Sequence, residues 1–160
     1  MSRKTDYTSH EWLKLLSLGM IAMSYKLTTL KLDSVSRAIG LAREIIAFNS
    51  FISESCTKYE PGTLVSDFVN DMKPNVQETC IGVGTGKQLD LAGTVAVANE
   101  ILARKATPDE ANSLRAFVYE LSLAVINAAG EGFLSTGNPV SPSEVTFLHD
   151  LKQALLAELS

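Results

Sequence analysis

Apolar positions along this chain recur at helical spacing, and strand-like alternation is nearly absent. The first periodic stretch follows Thr8-Ser9-His10-Glu11, a capping box in which Thr8 accepts the backbone N–H of Glu11 while Glu11 reaches back. It carries Trp12, Leu15, Leu16, Gly19, Met20 and Met23, and Leu13, Leu18, Ile21 and Ala22 make its other side apolar too. A helix apolar nearly all round lies either at the centre of a bundle or in a subunit interface. A second helix starts at Leu32-Asp33-Ser34, with Asp33 or Ser34 as cap. Its spacing places Val35, Ile39, Ala42, Ile45, Ile46, Asn49 and Ile52 on one face, with Phe48 and Phe51 beside it.

Tyr59-Glu60-Pro61-Gly62-Thr63 breaks the pattern, because Pro61 cannot continue a helix and Thr63 can cap the next. Leu64, Val65, Phe68, Val69 and Met72 predict a short amphipathic helix ending before Pro74. A further short helix to about Ile81 is expected, then a turn rich in glycine at Gly82, Gly84 and Gly86. From Leu89 a helix runs to about Lys105. Thr107-Pro108-Asp109-Glu110 and Ser141-Pro142-Ser143-Glu144 are two more capping boxes, each with proline at the first helical position. The helix after the first carries Leu114, Phe117, Val118, Leu121, Val125 and Ala128; the last carries Val145, Leu148, Leu151, Leu155 and Leu159. The pattern therefore predicts an all-α fold, a single compact domain over residues 1–160 built as a bundle of about seven helices.

Composition narrows the function classes. A chain of 160 residues buries enough surface to fold without a disulfide or structural metal. Its net charge of −4, with no run of basic residues, argues against a nucleic-acid or anionic-membrane surface. The most apolar run, Leu15 to Met23, is far short of the roughly 18 residues that span a bilayer. The N-terminal residues lack a signal-peptide pattern, and Cys56 and Cys80 read as reduced thiols, so a cytoplasmic location is expected.

Most candidate chemistry dissolves on inspection. Gly82-Val83-Gly84-Thr85-Gly86-Lys87 looks like a nucleotide loop, but the phosphate loop needs glycine where Ile81 stands and Ser or Thr where Gln88 stands. Asp67 and Asp71 are one helical turn apart and read as a solvated acidic face. His10 and His149 have no local partners that suggest a nucleophile triad, so no enzyme is expected. The segment after Ala129 is different. Gly130-Glu131-Gly132 places one acid between two glycines, and Ser141-Pro142-Ser143-Glu144 places a second at a helix N-terminus. One reading is purely structural, a helix cap, an anchored loop and a capping box. The other is a cation site in which Glu131 and Glu144 converge with a third acid from elsewhere in the chain.

Ala128-Ala129-Gly130-Glu131-Gly132, then Val140-Ser141-Pro142-Ser143-Glu144, then Phe147, Leu148, Leu151 and Leu155 resemble the TerB-like family of tellurite-resistance proteins. The resemblance is sharp over about 30 residues. The family's aspartate in the acid-glycine pair is replaced here by Glu131, and no first copy of the pair occurs in the N-terminal half. The resemblance implies an all-helical, cytoplasmic, non-enzymatic stress-response protein, with a divalent metal ion at Glu131 and Glu144 or a protein partner. The alternative is a homodimeric interaction module with no metal site, self-associating through the apolar first helix.

Overall fold

The structure, a computed structural model, describes residues 1–29, 35–83, 90–128 and 140–156, and the side chains of these except 35–38 and 74–83. A short 3-10 turn, Lys4–Asp6, precedes seven α-helices among the described residues: α1 Ser9–Gly19, α2 Ile21–Thr29, α3 Val35–Lys58, α4 Leu64–Val83, α5 Leu91–Lys105, α6 Pro108–Ala128 and α7 Pro142–Leu156. The all-α bundle expected from the periodicity is the fold observed.

The helix starts follow the local chemistry. The Glu11 N–H donates to Thr8 Oγ1 at 3.2 Å and the Thr8 N–H to Glu11 Oε2 at 2.8 Å, which completes the first box. The Thr107–Glu110 and Ser141–Glu144 boxes close in the same way. Each satisfies backbone donors that the first helical turn leaves without intrahelical acceptors. Gly62 takes a positive φ of 89°, which a glycine tolerates best, and turns the chain so that Thr63 Oγ1 caps α4 by accepting the Ser66 N–H.

Helix α6 is the axis of the bundle and contacts every other α-helix. Its buried side chains include Leu114, Phe117, Val118, Leu121 and Val125. Helices α3 and α4 pack along one side of it, and α5 and α7 along another. Phe117 is the hub of an aromatic chain, with Phe68, Phe51 and Tyr59 rings centred within 5.8 Å. Phe68 continues to Trp12 and Trp12 to Tyr7, which ties the N-terminus to the core.

Three expectations need correction. The first apolar stretch is two helices, with the turn at Met20. Gly19 lies against α4 so closely that an added Cβ would sit 2.6 Å from Met72 Sδ and 2.9 Å from Phe68 Cζ. Most of the apolar side chains of this stretch pack inside the domain: Leu15, Leu18, Met20, Ile21, Ala22 and Met23 are buried, while Leu13 is 64% exposed.

Helix α4 continues through Pro74 to Val83. Proline in a helix interior forfeits one backbone hydrogen bond and crowds the preceding turn, at a cost of about 3 kcal/mol. The turns before it are held by the buried Leu64, Val65, Phe68, Val69 and Met72. The loop expected at residues 84–89, including Gly84, Gly86 and Lys87, lies outside the described residues.

The inner face of α3 is also rotated from the expected one. Phe48 and Ile52 are fully buried and Glu44 and Ser55 share their stripe, while Ile39 and Ile46 are exposed and Asn49 faces out. The stripe runs at i, i+4, i+8 and i+11, and it contains a charged residue that an apolar count passes over.

Candidate functional site

Of the two carboxylates expected at a cation site, Glu131 lies outside the described residues. Glu144 is described, and it meets neither Asp67 nor Asp71. It meets Lys26 of α2, which also meets Glu44 of α3. The Lys26 Nζ is 2.8 Å from Glu44 Oε1 and pairs closely with Glu144 Oε1. The backbone explains the convergence. Glu144 stands at the third position of α7, where it closes the capping box by accepting the Ser141 N–H at 2.6 Å through Oε2. One turn on, Phe147 stacks on Tyr25 at 4.2 Å between ring centroids, which docks the start of α7 on the middle of α2. Lys26 follows Tyr25, so its ammonium falls beside Glu144.

This cluster is interior. Lys26 is 5% exposed and Glu44 2% exposed. Lysine and glutamate are almost never buried unless paired, because removing an ion from water costs several kcal/mol. One ammonium here serves two carboxylates. The side-chain bonding is incomplete, since Glu44 Oε2 is buried with no hydrogen-bond partner. The electrostatics follow from that imbalance. Burial pushes the Glu44 carboxyl above the ordinary carboxylate range, and the Glu144 charge adds to the effect, against the pull of Lys26. Burial acts upward on Glu144 too, but the bonds from Lys26 and Ser141 hold it below the ordinary range. Burial alone would lower the Lys26 pKa; the two carboxylates outweigh it and raise it.

The fit to a divalent cation can be judged from the donors. Calcium requires six to eight oxygens and magnesium near-octahedral geometry, often one or two carboxylates with waters. Glu144 has one oxygen on Lys26 and the other on a backbone N–H, and the ammonium stands where a shared cation would have to stand. Glu44 and Glu144 therefore leave no room for a metal ion between them while Lys26 is in place. No group of three or more His, Cys, Asp or Glu side chains able to hold a metal occurs among the described residues.

Asp67 and Asp71 do not form a solvated face. Asp67 Oδ2 accepts from Arg3 Nε at 3.0 Å and from the Lys4 N–H at 3.0 Å. Asp71 Oδ2 accepts from Trp12 Nε1 at 2.7 Å and pairs with Lys4 Nζ. The two acids clamp the N-terminal segment onto α4. His10 and His149 are both exposed, on separate helices, and Cys56 is a free, half-buried thiol. No helix of the described residues is long and apolar enough to cross a membrane.

A second feature, which spacing alone did not single out, lies between α6 and α7. Asn112, Arg115, Ala116 and Tyr119 recur one turn apart along α6 and face Lys152, Leu155 and Leu156 of α7 across an open groove of about 150 Å³. Arg115 is 8% exposed. Its Nε donates to Asn99 Oδ1 at 2.9 Å and its Nη1 to Asn112 Oδ1 at 3.0 Å. Asn99 Nδ2 donates on to the Ala154 carbonyl at 3.3 Å, so α5, α6 and α7 are tied together beneath the groove. Lys152 Nζ lies 5.7 Å from the centre of the Tyr119 ring.

Comparison of the chain with protein-family models, with curated proteins and with solved structures finds no match.

Proposed function

We propose that this chain is a non-enzymatic, cytoplasmic helical binding protein of the TerB-like stress-response type, which acts by holding a protein partner and keeps its own cation at the acidic junction. The observation that carries this reading is the Lys26 ammonium between Glu44 and Glu144. The resemblance implies a metal ion at Glu144; here a lysine side chain supplies the positive charge from within the fold. A covalently attached ammonium neutralises one carboxylate equivalent at all cation concentrations, so the junction holds its shape without responding to divalent ions.

The test is a thermal melt of metal-stripped protein with magnesium, calcium, manganese and zinc, on the wild type and on Lys26→Met. A ligand at 100 times its dissociation constant adds about 2.7 kcal/mol, or about 5–11 °C for a chain of this size. The expected result is no such rise in the wild type, and a rise with at least one ion in Lys26→Met, where two carboxylates are left without their cation. A rise of that size in the wild type, removed by Glu144→Gln, would overturn the reading and assign the junction to a divalent metal.

A further inference from the structure

The Lys26–Glu44–Glu144 junction sets one ammonium against two carboxylates, on side chains at most 17% exposed. It is therefore one positive charge short. Glu44 Oε1 lies 2.8 Å from Lys26 Nζ, but Glu44 Oε2 is buried with no hydrogen-bond partner. A buried carboxylate with an unbonded oxygen is costly, and an uncharged carboxyl in the same place costs far less. A proton is the one cation that fits there without a cavity to hold it. The two acids also reach the junction by different routes. Lys26 and Glu44 belong to α2 and α3, which pack on each other directly. Glu144 arrives with α7, through the Phe147–Tyr25 stack and the capping box that turns its carboxylate back. Docking of α7 thus brings a second negative charge up to Glu44.

We infer that the junction is a proton-operated latch on α7: a proton taken up at Glu44 Oε2 leaves Lys26 and Glu144 as a one-for-one pair and tightens the hold of α7 on α2. The coupling is reciprocal. The charge of Glu144 favours a proton on Glu44, so a proton on Glu44 favours Glu144 in place. Mild acid therefore tightens α7, whereas it weakens an ordinary paired carboxylate such as Glu11. Burial, then the Glu144 charge, push the Glu44 carboxyl above its ordinary range against the pull of Lys26; among the described residues no other charge acts on it. The ionisable groups of the other helices packed on α3 are engaged elsewhere. Asp67 and Asp71 of α4 hold Arg3 and Lys4, while Glu110, Arg115 and Glu120 of α6 bond to Ser2, Asn99 and Lys58. On α7 itself, His149 and Asp150 are exposed. The latch takes up its proton whether or not the chain holds a protein partner.

The test is amide hydrogen exchange of the metal-free full chain at about pH 7.5 and about pH 5, corrected for the intrinsic effect of pH, which reads the opening of α7 apart from the rest of the fold. In the wild type the protection of the Phe147–Leu155 amides should rise about three- to tenfold on acidification, since one unit of difference in proton affinity is a factor of ten. Protection of the α1 amides should not rise. Glu44→Gln, an uncharged group of the same shape, should hold the low-pH protection of α7 at both pH values. A ¹³C titration of the Glu44 carboxyl is the second readout: its midpoint should lie above the ordinary 4.5 and fall in Glu144→Gln. Protection of α7 that stays level or falls on acidification would overturn the latch. So would a rise shared equally by α1, or one that persists in Glu44→Gln and so belongs to another group such as His149. A Glu44 midpoint at or below 4.5 would remove the proton from Glu44, and one unmoved in Glu144→Gln would sever Glu44 from α7.

Discussion

Lys26→Met separates a buried, paired cluster from an incidental surface pair. The side chains of Lys26 and Glu44 are 6% and 3% exposed. Methionine matches the lysine stem in length and leaves the two carboxylates without their cation. Removing one partner of a buried ion pair costs about 3–5 kcal/mol, whereas an exposed pair is worth about 0–1 kcal/mol. For a chain of this size the buried value lowers the melting temperature by about 6–20 °C. Glu44→Leu added to Lys26→Met should recover most of the loss, because a buried pair replaced by apolar groups of similar volume is close to neutral. Glu144 tolerates the double change, since its side chain is 17% exposed and keeps the Ser141 N–H.

Glu44→Gln alone should stay within about 1 kcal/mol of wild type, because it removes a carboxylate whose charge burial already disfavours. The assay is urea unfolding followed by helical circular dichroism at several pH values. In Lys26→Met the folded Glu44 binds its proton more tightly than the unfolded chain, whose carboxylate has its ordinary value of 4.5. Its stability therefore rises as pH falls from neutrality toward that value, and the gap to wild type narrows. A loss under about 1 kcal/mol for Lys26→Met, or no recovery in the double variant, would refute the buried three-residue cluster.

Two further outcomes test other parts of the fold. Gly19→Ala should destabilise by about 1–3 kcal/mol through overpacking; in a double-mutant cycle it should cost less in the Met72→Ala background than in the wild type, because Met72 Sδ is the nearest atom to the added Cβ. Glu11 is held down to about 2, chiefly by the Lys105 hydrogen bond, then by Thr8, against a modest effect of burial. A depressed carboxylate contributes stability above its unfolded value of 4.5 that is lost as pH falls through about 2. A ¹³C titration of the Glu11 carboxyl should show this midpoint, and Lys105→Met should move it up toward the ordinary range; an unmoved midpoint would discard the Lys105 contact.

Local signals in the sequence were reliable where the chemistry is local. All three capping boxes form, because each needs only four consecutive residues. Thr63 caps α4 for the same reason. The outcome differs where a distant contact decides. Whether Asp67 and Asp71 meet water depends on where Arg3, Lys4 and Trp12 lie, and nothing in the one-turn spacing of the acids encodes that. Pro74 is a breaker by local rule, yet α4 passes through it, with tertiary packing of the preceding turns set against a single lost hydrogen bond. The turn at Met20 has no proline and no glycine cap to announce it; Met20 itself ends α1, its N–H donating to the Ser17 carbonyl at 3.2 Å. It coincides with the close approach of Gly19 to Met72 and Phe68, which appears only when two helices pack.

The Lys26–Glu44–Glu144 junction joins residues up to 118 positions apart, so no motif could contain it. A trace of it is nevertheless present in the phase of the helices. Glu44 lies four positions before Phe48 and eight before Ile52, in register with the buried stripe of α3. Lys26 lies three positions after Met23 and four after Ala22, in register with the buried side of α2. A charge in phase with a buried apolar stripe either disrupts the helix packing or has a counter-charge facing it. When two helices each carry one such charge, of opposite sign, the simplest packing that satisfies both brings them together. Glu144 then follows from the capping box, whose third-position carboxylate is already directed back toward the helix start. Reading charges by their phase against the apolar stripe, instead of by their neighbours in sequence, points to Lys26 and Glu44 as a pair and places Glu144 as the acid that leaves the junction with more negative than positive charge.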